Sequence, residues 1–211
     1  DKTPSKVIWQ IVDGKPGHEN QSTGLIQALQ ARSRYEVIRI HAERSGVNWT
    51  QFFFRKFKRD PKWKRPDLII GAGSQTHATI LAAKQSCKVP AILLMSPPKL
   101  IQNCFDLCVV PEHDERSGEN ILCTKGALNT IRPSSGQDPF KGLFLIGGPS
   151  KHHGWHEALL MKQINEILKH NPEIRWKLTT SRRTPQSTLE ALQALNHSQL
   201  SIYPVAHTPQ G

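Results

Sequence analysis

The chain has 211 residues, 37% of them hydrophobic, which is enough for a core, yet no apolar run approaches the roughly 20 residues of a membrane-spanning helix. A formal net charge of +11 suits polyanionic partners: phosphorylated small molecules, anionic lipid headgroups or nucleic acid. The cysteines Cys87, Cys104, Cys108 and Cys123 form no CxxC pair and have no His at ligand spacing, so zinc is set aside and reduced thiols in a cytoplasmic protein are expected.

Taken in chain order, strand and helix patterns alternate. Val7–Val12 is an apolar run with β-branched residues, the signature of a strand buried on both faces. The loop DGKPGHENQS (13–22) follows, and Asn20–Arg32 sets Leu25, Ile26 and Leu29 at helical spacing. Tyr35–Ile40 alternates as a strand, and Trp49–Phe57 reads as a helix with Trp49, Phe52, Phe53 and Phe57 on one face. Asp67–Ile70 is a strand ending in GAGSQTH (71–77), and Gln75–Gln85 an alanine-rich helix. Ala91–Met95, Phe105–Val110 and Ile121–Thr124 are further strands, the first two leading into SPPK (96–99) and PEHD (111–114). Such alternation predicts βαβ units and a parallel sheet.

Residues 132–139, RPSSGQDP, have the composition of a linker between a first domain, 1–131, and a second, 140–211. There the pattern restarts: strand Leu143–Ile146, loop GGPSKHHGW (147–155), helix Trp155–Lys169, strand Trp176–Thr180, loop TTSRRTP (179–185), helix Leu189–Leu195 and strand Ser201–Val205. The second unit stops where another helix is needed to cover its sheet, so an incomplete domain is expected. The predicted fold class is α/β, two Rossmann-like units with parallel sheets, the second incomplete.

In open α/β sheets ligands bind at the carboxyl ends of the strands, beside helix N-termini. All six loops belong to that edge. None carries the P-loop or dinucleotide glycine pattern. His18 can act as a general base near neutral pH, or it can simply pack the helix start. Glu19 can share that work or compensate the helix dipole. Ser74 and Thr76 fit either the loop or a helix cap. Arg182 and Arg183, after a strand and before Thr-Pro, are the strongest phosphate candidates. His152 and His153 diverge as neighbours and lack a third ligand, so no metal is assigned.

Residues 55–65, RKFKRDPKWKR, hold seven basic side chains and one acid. Phe54, Arg55, Lys56, Lys58 and Trp63 form a candidate contact with an anionic membrane surface at the inner face of a membrane. Core packing of the rings is the plainer alternative. Nucleic acid is the weakest partner, since charge alone speaks for it.

Together DGKPGHENQ, GAGSQTHA, GALN, LIGGPSKHHGW and TTSRRTP, in that order, resemble the mitochondrial fission ELM family, from about Val7 to Pro209. That family is known from a plant protein that recruits dynamin-related proteins, and it has bacterial members. Its members look like GT-B glycosyltransferases, two Rossmann-like domains facing a cleft, similar to the enzyme that adds N-acetylglucosamine to lipid-linked peptidoglycan precursors. They are longer than this chain, which the resemblance extends to a second domain lacking its ribose-binding end. By this resemblance His18, with Glu19, becomes the candidate base. Lys15, Gly17, Asn20, Gln21, Gly73, Ser74 and Gln75 line the acceptor side. Gly147, Gly148, Ser150, Lys151, Arg182 and Arg183 hold the donor diphosphate. No cofactor is implied beyond a nucleotide sugar as co-substrate. Two activities remain open: metal-independent glycosyl transfer, and a non-catalytic adaptor that recruits a membrane-remodelling protein partner.

Overall fold

The structure is a computed structural model, and it describes residues 5–42, 49, 57–133, 136–150 and 154–205. The chain divides into two units, Asp1–Arg132 and Pro133–Gly211.

In the first unit the described elements are β1 (Lys6–Val12), α1 (Pro16–Gln30), β2 (Tyr35–His41), β3 (Leu68–Ala72), α2 (His77–Cys87), β4 (Ala91–Leu94), α3 (Lys99–Gln102), β5 (Leu107–Pro111) and β6 (Ile121–Thr124). The six strands pair in parallel in the order β2-β1-β3-β4-β5-β6. The β1 side chains alternate between two buried layers. Val7, Trp9 and Ile11 join Ile80, Leu81, Phe57 and Phe105 on one face, while Ile8 meets Ile26 and Ile70 under α1 on the other. Gln10 is the polar exception among the buried residues of β1. It is 3% exposed, and its Nε2 donates to Ser22 Oγ (2.8 Å) and Thr23 Oγ1 (3.0 Å) of α1. A buried amide with both donors occupied avoids the desolvation penalty of an unpaired group.

In the second unit β7 (Lys141–Leu145), α4 (Glu157–His170), β8 (Arg175–Thr179), α5 (Gln186–Ala194) and β9 (Leu200–Tyr203) form a three-stranded parallel sheet, β7-β8-β9. The strand order advances in one direction, and right-handed crossovers of that kind, the general rule for parallel strands, place both helices on one face. Phe144, Leu178 and Ile202 pack there against Ile164, Leu168 and Leu192. Leu143 (59%), Leu145 (72%) and Tyr203 (47%) remain exposed.

Several boundaries differ from those expected. The first helix begins at Pro16 rather than Asn20, because Pro at the first helical position supplies the right φ and its missing N–H is not needed there. After Gly73 a 3-10 turn, Ser74–Thr76, precedes α2, which starts at His77. Phe105 enters the core before β5 begins at Leu107. The strand expected at Leu143–Ile146 starts at Lys141 and alternates in burial. The expected helix Trp49–Phe57 lies, but for its two end residues, outside the described residues, and Phe57 is buried in the core.

Candidate functional site

The chain runs from β1 to β2 on one side and reaches β3 on the other, so the sheet order reverses between β1 and β3. At such a point the loops diverge and leave a crevice at the carboxyl edge. Asp13 ends β1 there, with its carboxylate wholly buried. Oδ1 accepts the Lys15 N–H (3.1 Å), and Oδ2 lies 2.7 Å from His18 Nδ1. A carboxylate only accepts, so this pairing has the proton on Nδ1 and leaves Nε2 facing away from Asp13.

Three local features hold His18. It is the third residue of α1, and its N–H donates to Lys15 O (3.0 Å). Ser22, fixed by Gln10, donates to Glu19 O (3.1 Å) and His18 O (3.4 Å), tying this turn to β1. Gly73, after β3, has φ +87, and a Cβ on it would overlap the His18 imidazole. A side chain there is excluded on both counts. The His18 side chain stays 20% exposed.

Other expected residues separate by position. Lys15 and Gly17 are exposed at the start of α1, with open space around the Gly17 Cβ position. Glu19 does not partner His18: its carboxylate pairs with Arg39 of β2, and Asp13 fills the place beside the imidazole. Asn20 Oδ1 accepts from Thr130 Oγ1 (2.9 Å), and Gln21 is half-buried on α1. A Cβ on Gly24 would overlap the Asn129 carbonyl, so the GALN segment lies directly on α1. Ser74 and Gln75 are exposed beside Gly73, whereas Thr76 is buried and donates to Gly73 O (2.7 Å).

In the second unit the two expected loops touch. A Cβ on Gly148 would overlap the Arg183 carbonyl, and Thr184 Oγ1 accepts the Ser181 N–H (2.9 Å) while donating to Gly147 O (2.5 Å). Arg183 N–H donates to Ser181 Oγ (3.1 Å). This closed turn leaves the Arg182 and Arg183 side chains exposed, and Ser150 is half-buried nearby in sequence. Lys151 lies outside the described residues. The pattern did not single out Glu157, which accepts from Ser187 Oγ (2.8 Å) and Thr188 Oγ1 (2.5 Å). Those bonds, Thr188 first, hold its carboxyl below its ordinary 4.5. Trp155 Nε1 donates to the same Thr188 hydroxyl (3.1 Å). The Glu157 carboxylate therefore ties the first turn of α4 to the first turn of α5.

The proposed membrane contact changes in composition. Phe54, Arg55 and Lys56 lie outside the described residues, and Lys58 is exposed. Trp63 is half-buried, and its ring stands edge-on to buried Trp9, centroids 5.7 Å apart. Burying an indole against the core is favoured over leaving it in water. Among the described residues no helix is long and apolar enough to cross a membrane.

The chain is similar to the Rickettsia prowazekii protein RP120, itself uncharacterized, with 23% identity over 93% of this chain and 70% of that one. A candidate UDP-N-acetylglucosamine 2-epimerase of Listeria monocytogenes matches in structure with a TM-score of 0.50 at 12% identity, over 97% of this chain and 70% of that one. The UDP-GlcNAc 2-epimerase of Neisseria meningitidis, bound to UDP-GlcNAc, matches at a TM-score of 0.43 and 12% identity, over 97% of this chain and 72% of that one. The Listeria likeness shows the fold, two Rossmann-like units of GT-B kind. The family model described as mitochondrial fission ELM1 matches residues 16–211. The chain belongs to the mitochondrial fission ELM1 family.

Proposed function

We propose that this chain takes part in metal-independent glycosyl transfer from a nucleotide sugar, with His18 as the general base. The observation that carries this reading is the Asp13–His18 pair, 2.7 Å apart, at the point where the sheet order reverses. Its arrangement suits one chemical step. His18 Nε2 takes the proton of an acceptor hydroxyl, and the hydroxyl oxygen attacks the anomeric carbon. The bond from that carbon to the diphosphate breaks, and the nucleoside diphosphate leaves with the bonding electrons. Asp13 stabilises the imidazolium so formed. Arg182 and Arg183, exposed beside Gly148, offer positive charge for the diphosphate. The fold relative from Listeria is named for a UDP-N-acetylglucosamine reaction, which makes uridine diphosphate sugars the first donors to try.

Thermal-shift titration with UDP-N-acetylglucosamine tests the donor: a rise in melting temperature with ligand concentration is expected, reduced by Arg182→Ala. His18→Ala is expected to keep donor binding and to lower turnover by about 10²–10⁴-fold. No stabilisation by any nucleotide sugar sinks this reading.

A second reading is a non-catalytic adaptor that recruits a membrane-remodelling partner. The exposed Leu143, Leu145 and Tyr203, beside the exposed Lys141, Arg175 and Lys177, favour it. It predicts that Leu145→Glu abolishes partner recruitment while His18→Ala leaves it intact.

A further inference from the structure

The first unit carries a second concavity that takes no residue from the Asp13–His18 pair. It lies between α3 and the segment joining β5 to β6, with a volume of about 670 Å³, and its lining includes Lys99, Gln102, Asn103, Asp114, Glu115 and Arg116. That volume falls within the roughly 300–1,000 Å³ of small-molecule sites, which are mostly apolar. This one has no aromatic or aliphatic residue in its lining.

Parts of the lining are held in place. Met95, just past β4, has φ +79, and its N–H donates to Val109 O (3.0 Å). An L-residue in that conformation is kept only where its surroundings impose it. The next residue, Ser96, donates through Oγ to Asp114 Oδ2 (2.6 Å), and His113 Nε2 lies 3.5 Å from Asp114 Oδ1. Gln102 Nε2 donates to Ser117 O (3.2 Å).

The charges discriminate among ligands. A purely anionic group placed here meets Asp114 and Glu115, and a purely cationic one meets Lys99 and Arg116. A hydroxyl both donates and accepts, so neighbouring hydroxyls satisfy carboxylate, amide and guanidinium together. We propose that this pocket binds the polyhydroxylated, carbohydrate part of a ligand. That the ligand is the acceptor rests on the glycosyl-transfer reading above. The strands β4 and β5 are the second and third neighbours of β1 on the β3 side. At the usual strand spacing the pocket lies roughly 10–15 Å along the sheet from β1, which leads into Asp13. The acceptor of that reading is then an oligosaccharide or glycoconjugate, with one sugar anchored here and another offering its hydroxyl to His18.

Nitrogen-15-labelled protein is titrated with chitobiose and with lactose, and separately with inorganic phosphate as an anion probe. A disaccharide is expected to give saturable shifts at the amides of Asn103, Glu115 and Arg116. Asp114→Asn and Arg116→Ala, each with an unchanged amide spectrum elsewhere, weaken that binding at least tenfold, about 1.4 kcal/mol. The assignment is overturned if phosphate but neither disaccharide moves these amides, if nothing moves them, or if both pocket variants bind sugar as the parent does. Disaccharide binding that persists in a protein indifferent to every nucleotide sugar removes the transfer reading and keeps the pocket. Donor binding without sugar binding does the reverse.

Discussion

Gly73 lies so close to the imidazole of His18 that a single added methyl group would occupy the ring's own space. Two loops from neighbouring strands thereby fix one histidine. Gly73 has φ +87 and ψ 157, a backbone region essentially reserved for glycine, so Gly73→Ala is expected to lower stability by about 1–3 kcal/mol from backbone strain alone and to displace His18 from Asp13. Denaturant unfolding reads the first effect. The second appears as a His18 side-chain resonance shifted from its parent position in a protein that still folds.

Asp13→Asn keeps the shape beside His18 and reverses the logic of its hydrogen bond. An amide can donate to Nδ1 and stabilise the tautomer with the proton on Nε2, which removes the base. Turnover is expected to fall by about 10²–10⁴-fold with little change in substrate KM. Equal turnover in this variant means that Asp13 serves the fold alone.

His77, at the start of α2, is 4% exposed and stands edge-on to Phe105, centroids 5.8 Å apart. Burial lowers its pKa from the ordinary 6.5. The unfolded chain then binds the proton more readily than the folded one. Stability is full above pH 6.5, falls as the pH drops below that value, and levels off below the folded pKa. His77→Gln is expected to flatten this part of the curve of melting temperature against pH.

Glu157 acts in the second unit and at lower pH. Its carboxyl is held below 4.5 by Thr188 and Ser187, so its contribution is complete above that pH and is lost as the pH falls through the folded value. Glu157→Gln is expected to remove that acid step. Fluorescence of Trp155, whose indole shares Thr188 with Glu157, reports it.

The parallel strands were legible because each is a short apolar run closed by glycine, proline or polar residues, as in VIWQIVDG and LIIGAG. His18 was legible from its setting among glycines and amides. Asp13 was not, because an aspartate before glycine also reads as an ordinary turn former, and its burial needs β1, α1 and Gly73 assembled. Glu157 has the look of routine dipole compensation until α5 brings Ser187 and Thr188 to it. Lys99 and Arg116 lie in separate segments, after β4 and after β5, and line one pocket because those strands are neighbours. Gly17, read as part of the loop, belongs to the first turn of the helix that Pro16 begins.

Gln10 also bears on how the first unit assembles. Its neighbours Trp9 and Ile11 belong to the aromatic layer, while Gln10 itself reaches two hydroxyls of α1. Sliding β1 by one position would push an amide among indole and phenyl rings and leave Ser22 and Thr23 facing hydrocarbon. The single buried hydrophilic residue of β1 thus works as a proofreading mark, penalising every misaligned pairing of that strand before the histidine it supports is in place.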